Sequence, residues 1–356
     1  MDRPGPETGS RSRPRVEALS WHADYRCENT GVCCESGWDI AVEAPTEAAL
    51  RERLADKSVV SRLPRSPDGF RVLQDPPSGC QSAFRTDGAV CWFRDRRDSR
   101  CAIHREFGEE ALPSACRHFP RICVLEPERV TVSLSHYCPT AAGLLFRPST
   151  RFAVAPRPAA FDPSWPFEGL DARRSHSPLL RAGVLLGWDG LRSLETGGLD
   201  LLARAPTAAQ GVDMFAAAIG RCLDWRPGDV PLADWVREAF ARGGPSHAVS
   251  ADLDLSKGVD DLLLASVAQG GPRLDLPSRS GEVRLPDPGA EDLALRRYLA
   301  SKLFGAWITH QGAGLATLAR YLRLCLATLK RVAPDDADDE RARWIEAVRL
   351  SDLWLV

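Results

Sequence analysis

Cysteine is the residue type in this 356-residue chain whose number and spacing point most directly to chemistry. Thiolates are preferred ligands of zinc and of iron–sulfur clusters, and short spacing lets ligands converge at little cost in loop entropy. The spacing therefore predicts metal or iron–sulfur ligation. Nine of the eleven cysteines lie in the first 138 residues, at Cys27, Cys33, Cys34, Cys80, Cys91, Cys101, Cys116, Cys123 and Cys138.

The spacing also restricts the kind of metal site. No two cysteines are separated by two residues, which argues against a zinc ribbon and against the bacterial ferredoxin run. Seven or more thiols exceed what one tetrahedral zinc binds, and suit a four-cysteine cluster with a second site. The choice between zinc and iron stays open. Histidines close to cysteines are further candidate ligands: His22, His104, His118 and His136.

The adjacent pair Cys33 and Cys34 allows two arrangements. In an extended chain, neighbouring side chains point to opposite sides, so the two thiols would serve different metals. A tight turn at residues 29–31 would instead bring Cys27 back toward either of them. A reactive or merely buried pair is the alternative to both.

Disulfide bonding is the main competitor of ligation. The segment Met1–Arg15 lacks the apolar core of a signal peptide, so we expect a cytoplasmic protein with reduced thiols. Nine or eleven cysteines would also leave one unpaired. Cys222 and Cys325 lie in segments with helical apolar spacing, which predicts buried core positions.

Charge and hydropathy exclude two classes of partner. The formal net charge of −2 argues against a nucleic-acid-binding protein, because such proteins usually carry a basic excess. No uninterrupted apolar run reaches the roughly eighteen residues of a membrane-spanning helix. We therefore expect neither a nucleic-acid nor a membrane partner.

The elements that would position the cysteines suggest an α+β protein. We expect a small, irregular, cysteine-rich metal-binding domain with short strands, followed by a mainly α-helical domain. The predicted organisation is a disordered tail at 1–19, the cysteine domain at 20–145, a proline-rich linker at 146–170 and the helical domain at 171–356.

Within the cysteine domain, alternation at 38–42 predicts a strand and the segment 45–54 a helix, with irregular structure over 61–88. Two apolar runs, 122–125 and 130–134, predict a hairpin whose second arm delivers His136 and Cys138 to its end. The helices predicted further along lie at 179–194, 208–225, 232–241, 259–268, 292–311, 315–332 and 338–350.

Seven cysteines and their neighbours resemble the YkgJ-type cysteine-cluster family, in particular the branch that includes flagellin lysine-N-methylase. The resemblance covers residues 25–145, and Cys80 and Cys123 fall outside its motif. It depends on Cys27-x5-Cys33-Cys34 with Trp38, on Cys91, on Cys101-Ala-Ile-His104, on Gly108–Pro113, on Cys116–Arg121 and on Ser133–Pro139.

The resemblance implies a zinc- or iron-chelating, iron–sulfur-type centre held by those seven thiols. The expected function is metal binding. The methylase branch implies an alternative, in which S-adenosylmethionine donates a methyl group to a lysine of a protein substrate. No glycine-rich loop after a strand supports a nucleotide-like cofactor independently. A redox or metal-handling module is the third hypothesis.

Overall fold

We describe a computed structural model of the chain, which covers residues 14–148, 151–242, 284–312, 314–334 and 339–355. Helices and several small sheets are combined in it, as expected for an α+β protein. No helix in those ranges is both long enough and apolar enough to cross a membrane.

The described strands are β1 (Arg15–Leu19), β2 (Ala41–Glu43), β3 (Phe70–Val72), β4 (Cys80–Phe84), β5 (Thr86–Asp87), β6 (Val90–Cys91), β7 (Arg121–Leu125), β8 (Arg129–Leu134), β9 (Val154–Pro156), β10 (Leu170–Asp171), β11 (Leu179–Arg181) and β12 (Val184–Leu185). The described helices are α1 (Ala44–Leu54), α2 (Lys57–Val60), α3 (Ala102–Phe107), α4 (Ser114–His118), α5 (Pro139–Leu145), α6 (Trp188–Arg204), α7 (Ala208–Leu223), α8 (Leu232–Ala241), α9 (Ala290–Leu303), α10 (Leu315–Val332) and α11 (Glu340–Leu355).

The largest sheet has the strand order β10-β7-β8-β1-β9. The predicted hairpin is confirmed, because β7 and β8 pair antiparallel around a turn in which Glu126 N–H donates to Arg129 O at 2.8 Å. Every residue of β8 is buried, including its polar positions. Ser133 Oγ, for example, donates to the carbonyl of Ser301 in α9 at 3.1 Å. The sheet face that carries Ser133 is therefore covered by α9.

Two segments expected to be irregular contribute strands to this sheet. The tail prediction is wrong for 15–19, because β1 pairs parallel to β8 and antiparallel to β9. The linker prediction is wrong for 154–156, which form β9, and Phe161 is also buried there. These strands were missed because their partners are distant in sequence, so the long-range pairing that stabilises them has no local signal. Residues 1–13 lie outside the described ranges.

The cysteine-rich part has a second sheet, ordered β2-β4-β3, with α1 beside it. Phe70, Phe84 and Phe93 pack against one another in its core, with ring centroids 5.0–6.0 Å apart. The expectation of irregular structure over 61–88 is wrong for β3, β4 and β5. The helix predicted at 45–54 is confirmed as α1. The strand predicted at 38–42 is shorter and later than expected, because β2 begins only at Ala41.

The C-terminal part packs helices α6 to α11 into one large core. Cys222 in α7 and Cys325 in α10 are buried in it, as predicted. The helix expected from residue 179 is wrong at its start, because β11 and β12 form a hairpin before α6 begins at Trp188. The helix predicted at 259–268 lies outside the described residues. The helical core also takes in Leu19, Trp21 and Leu145, so it is continuous with the end of the large sheet.

Candidate metal centre

Six of the seven predicted ligands line one small cavity of about 50 Å³. The cavity lies where the loop before β2, the start of α3, the helix α4 and the end of β8 meet. Cys91, the seventh, does not line this cavity, and it is one of the neighbours that raise the pKa of the Cys34 thiol. The six lining cysteines are Cys27, Cys33, Cys34, Cys101, Cys116 and Cys138.

The loop carrying the first three cysteines is held by its own backbone and by α3. Asn29 N–H donates to Cys27 Sγ at 3.4 Å, while Asn29 Oδ1 accepts from the backbone N–H of Cys101 at 3.3 Å. Gly31 has the left-handed φ of 70°, and its carbonyl accepts from Cys34 N–H at 3.0 Å. A turn is thus present at 29–31, as the second of the two expected arrangements requires, and Asn29 links it to Cys101.

Cys116 is positioned by an acidic residue that the sequence did not single out. The carboxylate of Glu43, at the end of β2, accepts from the backbone N–H of Ser114 at 2.9 Å. Ser114 is the first residue of α4, so Glu43 fixes the start of the helix that carries Cys116. A glutamate directly before a helix carries no sequence pattern that predicts this role.

Cys138 reaches the cavity from the large sheet. It follows β8 and is the residue immediately before α5, as the predicted delivery by the second hairpin arm requires. Its sulfur lies 3.8 Å from Tyr25 Oη, within hydrogen-bonding distance for sulfur, and either atom can donate. Tyr25 is thus a further residue of the site that sequence reasoning missed.

The sulfurs are electrostatically coupled. Hydrogen bonds to Cys101, Cys33 and Cys91 raise the pKa of Cys34 well above its ordinary value. Contact with Cys34 lowers the pKa of Cys33 and of Cys101, because the single S–H of Cys34 stabilises whichever of the two thiolates it donates to. Burial, followed by the charges of neighbouring cysteines, raises the pKa of Cys116. Thiolates this close repel one another unless a proton or a cation lies among them.

The gathered thiols do not form a finished ligand set. Among the residues that the structure describes, no group of three or more histidine, cysteine, aspartate or glutamate side chains is placed so that it could hold a metal ion. The chemistry of the donors nevertheless fits a thiophilic ion, because sulfur from four separate chain segments is brought to one place. Metal binding would require the sulfurs to move closer together.

The remaining candidate ligands fall into two groups. His104 lines the cavity with the six cysteines. His118 instead contacts the backbone of Glu168, with Glu168 N–H 2.6 Å from its Nε2. His22 and His136 are buried and contact each other through Nε2 at 3.1 Å. These three histidines do not line the cysteine cavity.

Cys80 and Cys123, which lie outside the family motif, are also outside the cavity. Cys80 begins β4, and its pKa is raised by burial and then by the charges of Glu43 and Glu168, with no cysteine among the causes. Cys123 is fully buried in β7, and burial raises its pKa to about 12. Of the nine cysteines, six thus line the cavity, and Cys80 and Cys123 share with Cys91 a position outside its lining.

Replacing Gly31 with alanine is expected to destabilise the site. A Cβ there would lie 1.7 Å from the carbonyl oxygen of Ser99, so the loop must move away from Cys101. Gly79→Ala is the matched control, since Gly79 has a similar φ of 82° and nothing within 4 Å of the added atom. We expect Gly31→Ala to cost about 2 kcal/mol more than the control in urea unfolding. Equal costs would contradict the close packing of this loop.

No protein-family model, curated protein or solved structure matches the chain. The resemblance to the YkgJ-type family thus stays a prediction that depends on the cysteine motif alone.

Proposed function

We propose that the chain is a metal-binding protein that holds zinc or an iron–sulfur centre through Cys27, Cys33, Cys34, Cys91, Cys101, Cys116 and Cys138. The observation that supports this most strongly is the convergence of six of these thiols on one cavity. These residues come from segments up to about a hundred positions apart, so sequence proximity alone does not explain the convergence.

Energetics favour a ligation role over a purely apolar one. Thiols gathered out of water lose hydration and, once ionised, repel one another, so their clustering opposes folding unless something binds them. A metal offsets this cost, because its binding free energy becomes folding free energy. The surrounding elements are short, as is typical of a region that a metal organises: α3 has six residues and α4 has five.

The nature of the ion decides between two versions of the proposal. The full-length protein would be purified without oxygen, and its metal, acid-labile sulfide and visible absorption measured. Iron with sulfide and a coloured protein would identify an iron–sulfur centre, and a colourless protein with stoichiometric zinc would identify a zinc site. Failure to retain either metal, both as purified and after anaerobic reconstitution, would refute the proposal.

The methylase alternative has a separate test. The metal-loaded protein would be mixed with S-adenosylmethionine and candidate proteins. Binding of S-adenosylmethionine would be measured, together with a mass increase of about 14 daltons on lysine, because each methylation adds a net CH₂. Methyl transfer would make the cysteine centre part of a protein-lysine methylase. Loss of bound metal to a chelating acceptor protein would instead support the metal-handling module.

A further inference from the structure

Tyr25 presents its hydroxyl to one sulfur of the cysteine cavity. The residue is 3% exposed and belongs with Cys138 to the apolar core around β7 and β8. Its backbone N–H donates to the carbonyl of His22 at 3.0 Å, and its Oη lies 3.8 Å from Cys138 Sγ. The hydroxyl is therefore held against this sulfur and away from bulk water.

The guanidinium of Arg121 packs over the ring of Tyr25. Its Cζ lies 5.8 Å from the ring centroid of Tyr25, 5.7 Å from that of Phe161 and 4.6 Å from that of Trp165. The arginine side chain is 6% exposed, and cation–π contacts are stronger where water is excluded. These neighbours restrict the tyrosine ring, so its hydroxyl stays directed at the sulfur.

The hydrogen bond between Tyr25 and Cys138 has one possible direction when the cysteine ligates a metal. A ligating cysteine is a thiolate, which has no proton to donate. Burial raises the pKa of Tyr25, so its hydroxyl keeps its proton. The tyrosine must then be the donor and the sulfur the acceptor.

A hydrogen bond to a ligating sulfur orients the ligand and tunes the metal. The donated proton draws electron density away from the sulfur lone pairs, so the bonded thiolate gives less charge to the metal than a free one. It also reduces the repulsion between this thiolate and its neighbours. Tyr137 offers a comparison, because its hydroxyl donates to the carbonyl of Val32 at 3.4 Å rather than to a sulfur.

We propose that Tyr25 is a positioning residue of the metal centre, whose hydroxyl donates a hydrogen bond to the Cys138 thiolate, orients that ligand and weakens its donation of charge to the metal. This role rests on the proposed function, because Cys138 is a ligand only if the cysteine cavity binds a metal. It goes beyond that function by assigning control of one ligand to a residue that binds no metal itself.

The test uses Co²⁺ as the probe, since it binds thiolate sites and, unlike zinc, reports its ligands by light absorption. The full-length protein would be stripped of metal and reloaded with Co²⁺ without oxygen. Competition with a chelator measures the affinity, and the near-ultraviolet bands of sulfur-to-cobalt charge transfer report the electron density on the sulfurs. Tyr25→Phe removes the hydroxyl and keeps the ring. Tyr137→Phe is the matched control, because it removes a buried hydroxyl whose acceptor directly precedes Cys33.

Tyr25→Phe should weaken Co²⁺ binding about tenfold, as expected for the loss of a group that orients a ligand. Its charge-transfer bands should also move to longer wavelength, because a thiolate without the hydrogen bond gives up an electron more readily. Tyr137→Phe should weaken binding less and leave the bands where they are. A purely structural role of Tyr25 would lower the affinity without moving the bands.

A second substitution keeps the test decisive if Tyr25→Phe fails to fold. Incorporation of 3-fluorotyrosine at position 25 keeps the hydroxyl and makes it a stronger donor, so the bands should move to shorter wavelength. Unchanged bands in both altered proteins, or an equal shift in Tyr137→Phe, would overturn the role of Tyr25 and leave the metal centre intact. Absence of charge-transfer bands in the unaltered protein would instead refute the metal centre, and the role of Tyr25 with it.

Discussion

Replacing Cys116 with serine is expected to lower the metal content of the purified protein at least about tenfold and to destabilise residues 25–145. Structural zinc contributes about 10–16 kcal/mol through four ligands, so the loss of one thiolate costs about 3 kcal/mol. Serine matches the size of cysteine but is a much poorer ligand for thiophilic metals. Metal analysis and urea unfolding, both under anaerobic conditions, measure the two effects.

Cys80→Ser is the control for this variant. This variant also replaces a cysteine by serine in the cysteine-rich part of the chain, but Cys80 lies outside the cysteine cavity. It should leave the metal stoichiometry unchanged and alter the free energy of unfolding by less than about 1 kcal/mol. Unchanged metal content in Cys116→Ser would remove that residue from the ligand set, and equal losses in both variants would show that the effect is not specific to the cavity.

The sequence predicted the parts of the site that depend on residue type and local pattern. Helical apolar spacing predicted α10 with its observed bounds. The apolar runs 122–125 and 130–134 predicted the β7–β8 hairpin. The clustering of nine cysteines follows from their type and spacing, whereas only the resemblance to the family motif separated seven of them from Cys80 and Cys123.

The missed features depend on distant partners. The strand β1 is stabilised by β8, more than a hundred residues away in sequence, and Arg15–Leu19 carries little local β signal. Glu43 and Tyr25 acquire their roles only when the fold brings them to Ser114 and Cys138. Burial in the fold, rather than intrinsic propensity, decides such positions, and a single sequence does not display it.

The strand β8 connects the cysteine cavity to the helical core. Arg129 begins the strand, and Cys138 follows its end in the cavity wall. At the Arg129 end, a buried ion network joins the strand to β1 and to α6 through Glu17 and Glu195. A defect at this end should therefore loosen the support of the cavity, although it touches no cysteine.

Because of this buried ion network, substitution of Arg129 is expected to cause the largest loss of stability outside the cysteine cavity. The guanidinium is 3% exposed and bonds three buried carboxylates. Its Nη1 lies 2.9 Å from Glu17, its Nε 2.8 Å from Glu126 and its Nη2 2.6 Å from Glu195. Burial raises the pKa of Glu195, and Arg129 opposes this shift.

Arg129→Met is expected to lower the free energy of unfolding by about 3–5 kcal/mol at pH 8, because it leaves Glu126 and Glu195 buried without this counter-charge, whereas Glu17 keeps its ion pair with Arg15. Burial already raises the pKa of Glu195, and without the opposing charge of Arg129 it rises further, so the folded variant binds more protons and its deficit shrinks as the pH falls from 8 to 5. Urea unfolding across that range measures both effects. The control is Arg173→Met, which breaks an exposed pair with Asp171 and should cost less than about 1 kcal/mol. A deficit in Arg129→Met that does not change with pH would show that lost packing, rather than unpaired charge, causes the instability.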